Sequence, residues 1–203
     1  PGAGPVLGVF GFEGDLFAFR NTADNSAAKL HKATATGWQE ITTPTLLPNG
    51  YYEVREGNFT GSAGAMAIYG VDGKNPAFTF DGTTFTQIPS IITPDAPTHL
   101  DILPSQILLL SFRGGSFLYS AVGDPFKFSS VDGGGEIAVG QEITGIEVQA
   151  DATTAIFTRN KSYVLYGSSA ADFQLKSLAL RSGALEKTIQ SMGSSIYLDD
   201  RGL

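Results

Sequence analysis

The sequence contains no cysteine. Disulfides, thiolate-held zinc, iron–sulfur clusters and thiol nucleophiles are therefore excluded. Histidine is scarce as well. His31 and His99 are the only two, far apart, with no Cys or second His nearby to share a metal. Charge is sparse at 16% of residues, and cations are outnumbered 13 to 20, for a net charge of −7 and a pI near 4.7. Nucleic-acid binding ordinarily needs a basic patch to replace phosphate counterions, and the densest basic stretch, around Arg159 and Lys161, holds two charges. No apolar run approaches the ~18 residues of a membrane-spanning helix. The longest, Ile107-Leu108-Leu109-Leu110, reads as a buried strand. The N-terminus shows no signal-peptide pattern. The chain opens on Pro1 rather than Met and stops at Arg201-Gly202-Leu203, which reads as a processed chain or a fragment.

What is present points to β-structure. There are 25 Gly, 14 Phe and 7 Tyr, and 42% of residues are hydrophobic. That profile suits many short strands joined by tight turns. Helical periodicity is nearly absent; the best helix candidate is a short stretch over 184–189. Four segments repeat one pattern of apolar strands, a Gly or Asp turn and a closing aromatic strand, and a fifth segment begins it. The aromatics expected to open the closing strands, Trp38, Phe85, Phe128 and Phe173, lie 47, 43 and 45 residues apart. Propeller blades have periods of ~40–50 residues. Turn residues precede each one: Gly37, Asp81-Gly82, Gly123-Asp124 and Asp172. Within DLFAFRN, Leu16, Ala18 and Arg20 share one face and Phe17 and Phe19 the other. The expected fold is all-β, a β-propeller over residues 1–203. Its blades are expected near 5–43, 50–89, 97–131 and 142–180, with a fifth starting at 184–203. A β-sandwich or a solenoid of hairpins is the alternative.

No residue stands out as catalytic, cofactor-binding or metal-ligating. Some propellers cleave glycosides with paired carboxylates, which makes Asp15, Asp72, Asp124, Asp151 and Glu147 candidates. Yet Asp72 (VDGKN), Asp81 (FDGTT), Asp124 (VGDPF) and Asp199-Asp200 (LDDRG) all read as turn residues. Asp72-Gly73-Lys74-Asn75 lacks the alternating acids and distal Glu of a calcium loop. Gly133-Gly134-Gly135 lacks the Lys-Ser/Thr of a phosphate cradle and reads as a flexible inter-blade loop. Asn58-Phe59-Thr60 matches a glycosylation sequon, a triplet common by chance. No GxSxG elbow occurs. A binding propeller could use Tyr51, Tyr52, Phe59 or Tyr166, although aromatics at strand spacing usually build core. The loops at 22–28 (TADNSAA) and 93–98 (TPDAPT) read as exposed candidates for subunit contacts.

The segments GVFGFEGDLFAFRN, AIYGVDGKNPAFTFDGTTFTQI, SFLYSAVGDPFKF and GALEKTIQSMGSSIYLDDRGL resemble tailed-bacteriophage virion proteins. The resemblance is to propeller-containing tail-tube or nozzle proteins of short-tailed phages and related packaged-DNA stabilisation proteins. It covers Val6 to Leu203. Its motifs are turns rather than a chemical signature. It implies a non-enzymatic structural component of a virion tail, assembled in the bacterial host cytoplasm. Partners would be other copies in a ring, other tail or portal-adapter proteins, and DNA passing through without specific binding. No cofactor is implied. An acidic lumen would let phosphate slide past rather than adhere. A carbohydrate-active or carbohydrate-binding propeller is the competing expectation.

Overall fold

The computed structural model describes residues 4–62, 65–92, 96–192, 194–200 and 202. The fold is a β-propeller: four-stranded antiparallel sheets form the blades, with no helix among the described residues. Two compact units divide the chain, Pro1–Asn58 with Ser62–Thr98, and Phe59–Gly61 with His99–Leu203.

The first unit holds two sheets. Strands β1 (Val6–Phe12), β2 (Asp15–Asn21), β3 (Ala28–Thr34) and β4 (Gly37–Leu46) form one, in sequential order. The β1–β2 hairpin turns on Glu13 and Gly14, both at positive φ (50° and 83°). That pair suits the primed two-residue turn that matches strand twist. The register sets Phe10 opposite Phe17 and Gly8 opposite Phe19. Strand alternation then sends Phe17 and Phe19 into the core, while Leu16 and Arg20 stay on the other face at the surface or half-buried. Strands β5 (Glu53–Gly57), β6 (Ala67–Val71), β7 (Ala77–Phe80) and β8 (Phe85–Ile88) form the second sheet. Phe10, Phe17, Phe19 and Leu30 of the first sheet meet Ile68, Phe78, Phe80 and Phe85 of the second in one core. The Phe19 ring stacks on Tyr52 at 3.6 Å and meets Phe78 edge-on at 5.4 Å. Each fully buried ring of this kind contributes roughly 1.5–3 kcal/mol by area, plus about 0.5–1.5 per aromatic pair.

The second unit repeats the plan. Strands β9 (His99–Leu103), β10 (Ile107–Phe112), β11 (Ser116–Tyr119) and β12 (Gly135–Ala138) form one sheet. Strands β13 (Ile143–Val148), β14 (Thr154–Thr158), β15 (Ser162–Tyr166) and β16 (Gln174–Ala179) form the next. Every residue of β10 is buried, as its apolar run requires of a strand covered on both faces. Leu103, Ile107, Leu109 and Phe117 pack against Ile143, Ile146, Ile156 and Leu165. A two-stranded hairpin, β17 (Gln190–Ser191) and β18 (Ser195–Ile196), follows.

Several local expectations are corrected. The third sheet closes on Gly135–Ala138, not on PFKF. Phe128 instead sits buried in the loop before β12, because Asp124 and Lys127 turn the chain back on Ala121. The three glycines are not a free loop. A Cβ at Gly134 would strike the Phe128 backbone, and Gly135 lies under the Tyr119 ring as the first residue of β12. Residues 184–189 form no helix; Leu185 N–H bonds Leu198 O and Thr188 N–H bonds Leu185 O in a turn. The loop at 22–28 is knitted internally, Asp24 accepting from Thr22 Oγ1 at 2.6 Å and Ser26 N at 3.1 Å, and Ala28 is buried. Of the loop at 93–98, residues 93–95 lie outside the described residues. Pro97 and Thr98 are buried, and Pro97 O accepts from Gly73 N–H.

Candidate functional site

The turn carboxylates come first, since they were the candidates for chemistry. Asp72 is buried beside β6 and accepts from Lys74 N at 2.9 Å, Asn75 N at 2.7 Å and Asn75 Nδ2 at 2.5 Å. Asn75 in turn holds both backbone groups of Leu47. Asp81 accepts from Thr83 and Thr84, Asp124 from Phe126 N, and Asp151 from Thr153 N and Oγ1. Asp172 gathers the amides of Ser168 and Ser169. The bonds to Asp81, Asp151 and Asp172 stabilise the ionised form. The Thr22 and Ser26 hydroxyls hold the Asp24 carboxyl down to about 2. The Thr84 amide lowers Asp81, the Thr153 hydroxyl lowers Asp151, and the Ser169 and Ser168 amides lower Asp172. Asp15 pairs with Lys32 at 2.5 Å, Asp200 with Arg159 at 2.6 Å, and Asp199 accepts from Ser182 Oγ at 3.2 Å. The carboxyls of Asp24, Asp81, Asp151 and Asp172 are all held below the usual range, the opposite of what a general acid needs.

His31 lies half-buried on β3, its proton affinity lowered chiefly by burial. His99 opens β9 and is buried, its Nε2 4.0 Å from Glu186 Oε1. Asp101, two residues on, is buried too and accepts from Val148 N at 2.7 Å, tying β9 to β13. Sequence reading missed Asp101, because a single acid inside HLDIL looks like an outward-facing strand residue. No three His, Asp or Glu among the described residues are grouped to hold a metal. No helix among them is long and apolar enough to cross a membrane.

The aromatic candidates separate by burial. Tyr52 belongs to the first unit's core; burial, and after it the charge of Asp72, pushes its hydroxyl far above the ordinary phenol range. Phe59 is buried, and Tyr51 is exposed on a connecting segment. Asn58 of the sequon donates from Nδ2 to Ser62 O. Tyr166 is different. It is half exposed on β15 and lines a cavity of about 440 Å³ between the face of β13–β16 and the β17–β18 hairpin. The cavity floor is Ala155 and Phe157, against which Tyr197 packs at 4.7 Å. Its outer wall is Val164, Tyr166 and Leu178, and its polar rim includes Gln149, Asp151 and Thr153. A volume of this size is ordinary for a binding site. The hairpin is seated by Ile189, whose Cδ1 lies where a Cβ on Gly145 would have to be.

No family model and no curated protein sequence matches the chain. Solved structures do. A selenomethionine-substituted virginiamycin B lyase from Staphylococcus aureus superposes with a TM-score of 0.56 at 11% identity, over 98% of this chain and 68% of its own. A streptogramin B lyase superposes with a TM-score of 0.60 at 13% identity, over 100% of this chain and 68% of its own. A catalytically inactive H270A form of the S. aureus lyase with quinupristin gives 0.50 at 12% identity, over 85% and 55%. The sequence-based expectation that this chain is not an enzyme is therefore corrected: the solved structures sharing its architecture are enzymes, so absence of a familiar motif was no ground for exclusion. At 11–13% identity the likeness shows a fold in common, and that fold is the β-propeller.

Proposed function

We propose that this chain is a propeller portion of a phage tail protein, of the nozzle or tail-tube kind, that helps enclose the path of DNA. The observation that carries the reading is what the resembling segments do in the fold. VDGKN and FDG are the β6–β7 and β7–β8 turns, and GDPF is the turn after β11, with their carboxylates committed to backbone amides. Carboxylates bonded in this way fix the shape of the hairpins, as a rigid body requires.

The testing experiment is electron microscopy of the purified protein with its mass measured in solution. A ring of fixed symmetry with a bore wide enough for duplex DNA, and DNA retention that stays negligible at low salt, supports the reading. Particles that remain monomeric and turn over virginiamycin B would overturn it.

A further inference from the structure

We propose that Asn49-Gly50 is a self-modification site gated by the fold. Closed, the link between β4 and β5 keeps Asn49 unreactive. Opened, it lets Asn49 cyclise onto Gly50 and end as aspartate or isoaspartate. The inference stands on the first unit alone and does not depend on the tail reading.

The sequence holds six asparagines, and Asn49 is the one followed by glycine. A glycine next in line leaves its backbone nitrogen open to approach, because it has no side chain to crowd it. The reaction is a ring closure. Gly50 N attacks Asn49 Cγ, so an N–Cγ bond forms and the Cγ–Nδ2 bond breaks. The side-chain nitrogen leaves as ammonia with the proton that Gly50 N gives up. Water then opens the succinimide at one carbonyl or the other, giving aspartate or isoaspartate. Water is the one co-reactant, and nothing is oxidised or reduced.

Asn49 is exposed, yet the structure sets it against this closure in two ways. Its φ is 64°, in the left-handed region, where ψ of an L residue is about +30 to +60°. There the Gly50 nitrogen lies nearly anti to Asn49 Cβ across the Cα–C bond, and ring closure needs the two on the same side. The second restraint is a two-point grip by one buried side chain. Asn21, 2% exposed at the end of β2, donates from Nδ2 to Asn49 Oδ1 at 2.8 Å. Its Oδ1 accepts from Asn49 N at 3.1 Å. Both restraints end when the segment leaves Asn21. The native rate is then the unfolded-chain rate multiplied by the fraction of time the link is open.

The two products differ in whether they can close again. Aspartate at 49 keeps an oxygen for Asn21 Nδ2 and a backbone N–H for Asn21 Oδ1. Isoaspartate routes the main chain through the side-chain carbon and makes it one atom longer. The site has no slack for that. A Cβ on Gly50 would strike the Asp72 carboxyl, and Tyr51 N must still reach Asp72 O at 3.0 Å. Isoaspartate therefore holds the link open, and the site keeps a record of past openings.

The test uses the whole 203-residue protein in warm, mildly alkaline buffer, with and without denaturing urea. Peptide mapping by mass spectrometry with electron-transfer fragmentation counts aspartate and isoaspartate at 49. The native protein should react at least about tenfold more slowly than the unfolded chain, which is ~1.4 kcal/mol of opening. Hydrogen exchange at the Asn49 amide should give the same factor, since the same opening frees it. Asn21→Ala should raise the native rate severalfold and leave the rate in urea unchanged. If that variant fails to fold, the parent's rate ratio and exchange factor decide the matter. The separated isoaspartate form should lose exchange protection at the Tyr51 amide, and the aspartate form should keep it. Equal rates with and without urea overturn the proposal. So does an exchange factor more than about tenfold away from the rate ratio, a folded Asn21→Ala with an unchanged rate, or an isoaspartate form still protected at Tyr51.

Discussion

Asn75→Ala offers the sharpest test of how the first unit is held together. In the native turn the Asn75 side chain makes three bonds: Oδ1 accepts from Leu47 N at 2.7 Å, and Nδ2 donates to Leu47 O at 3.2 Å and Asp72 Oδ2 at 2.5 Å. It joins the segment leaving β4 to the β6–β7 turn, and it is 5% exposed. Removing it strands a part-buried amide and one oxygen of a buried carboxylate. Unsatisfied buried groups cost about 1–3 kcal/mol each, more when charged. Because the Leu47 side chain is exposed, water can reach part of the gap, so the expected loss is about 2–4 kcal/mol. Urea denaturation should show a lower midpoint at unchanged slope. Asn75→Asp supplies the sign check. It keeps the acceptor for Leu47 N but sets two carboxylates in hydrogen-bond contact, so the pair's folded-state pKa rises above its unfolded value. The variant should be weakest at neutral pH and regain stability relative to the parent as pH falls toward the carboxylate range. An Asn75→Ala loss under about 0.5 kcal/mol, or an Asn75→Asp deficit that does not shrink on acidification, would refute the account of this turn as a buried clasp.

Three further outcomes are expected. Phe19→Ala empties the position that touches Tyr52, Phe78 and Phe85; calorimetry should register a loss of about 3–5 kcal/mol. Gly145→Ala forces a Cβ into Ile189 and should cost about 1–3 kcal/mol, with Ile189→Ala costing less in that background than alone. Additive losses would show that the two do not touch. For pH, the Asp24 carboxyl should titrate near 2 by NMR and stay ionised where free carboxylates are half protonated. Its pKa is depressed on folding, so whatever it contributes is present above the unfolded value and fades as pH falls toward 2. Thr22→Val and Ser26→Ala together should return it to the ordinary range.

The family of blades was legible because it rests on local chemistry. Period-two alternation in DLFAFRN, the buried ILLL run and the Asp-Gly turns are set by neighbours one to four residues apart, and the strands fell where these placed them. The aromatic ruler was only partly right. Phe85 does open β8, and Trp38 lies on β4 but at its exposed rim. Phe128 does not enter a strand at all, since 121–127 turns back on itself and the closing strand forms instead from 135–138, which pairs with β11 across that loop. The cavity was not legible either. Tyr166 was flagged, but only as one aromatic among several.

What the sequence determined by itself is the repertoire: no thiol chemistry, few cations, short strands and tight acidic turns. Tertiary structure decided what those residues are for. Asp72 looked like any turn residue until Asn75 and Leu47, 28 residues apart, closed over it. Gln149, Phe157, Tyr166 and Ser195 became one surface only because β13–β16 faces a hairpin of two strands. Burial is a property of what packs from far along the chain, and no local pattern encodes it.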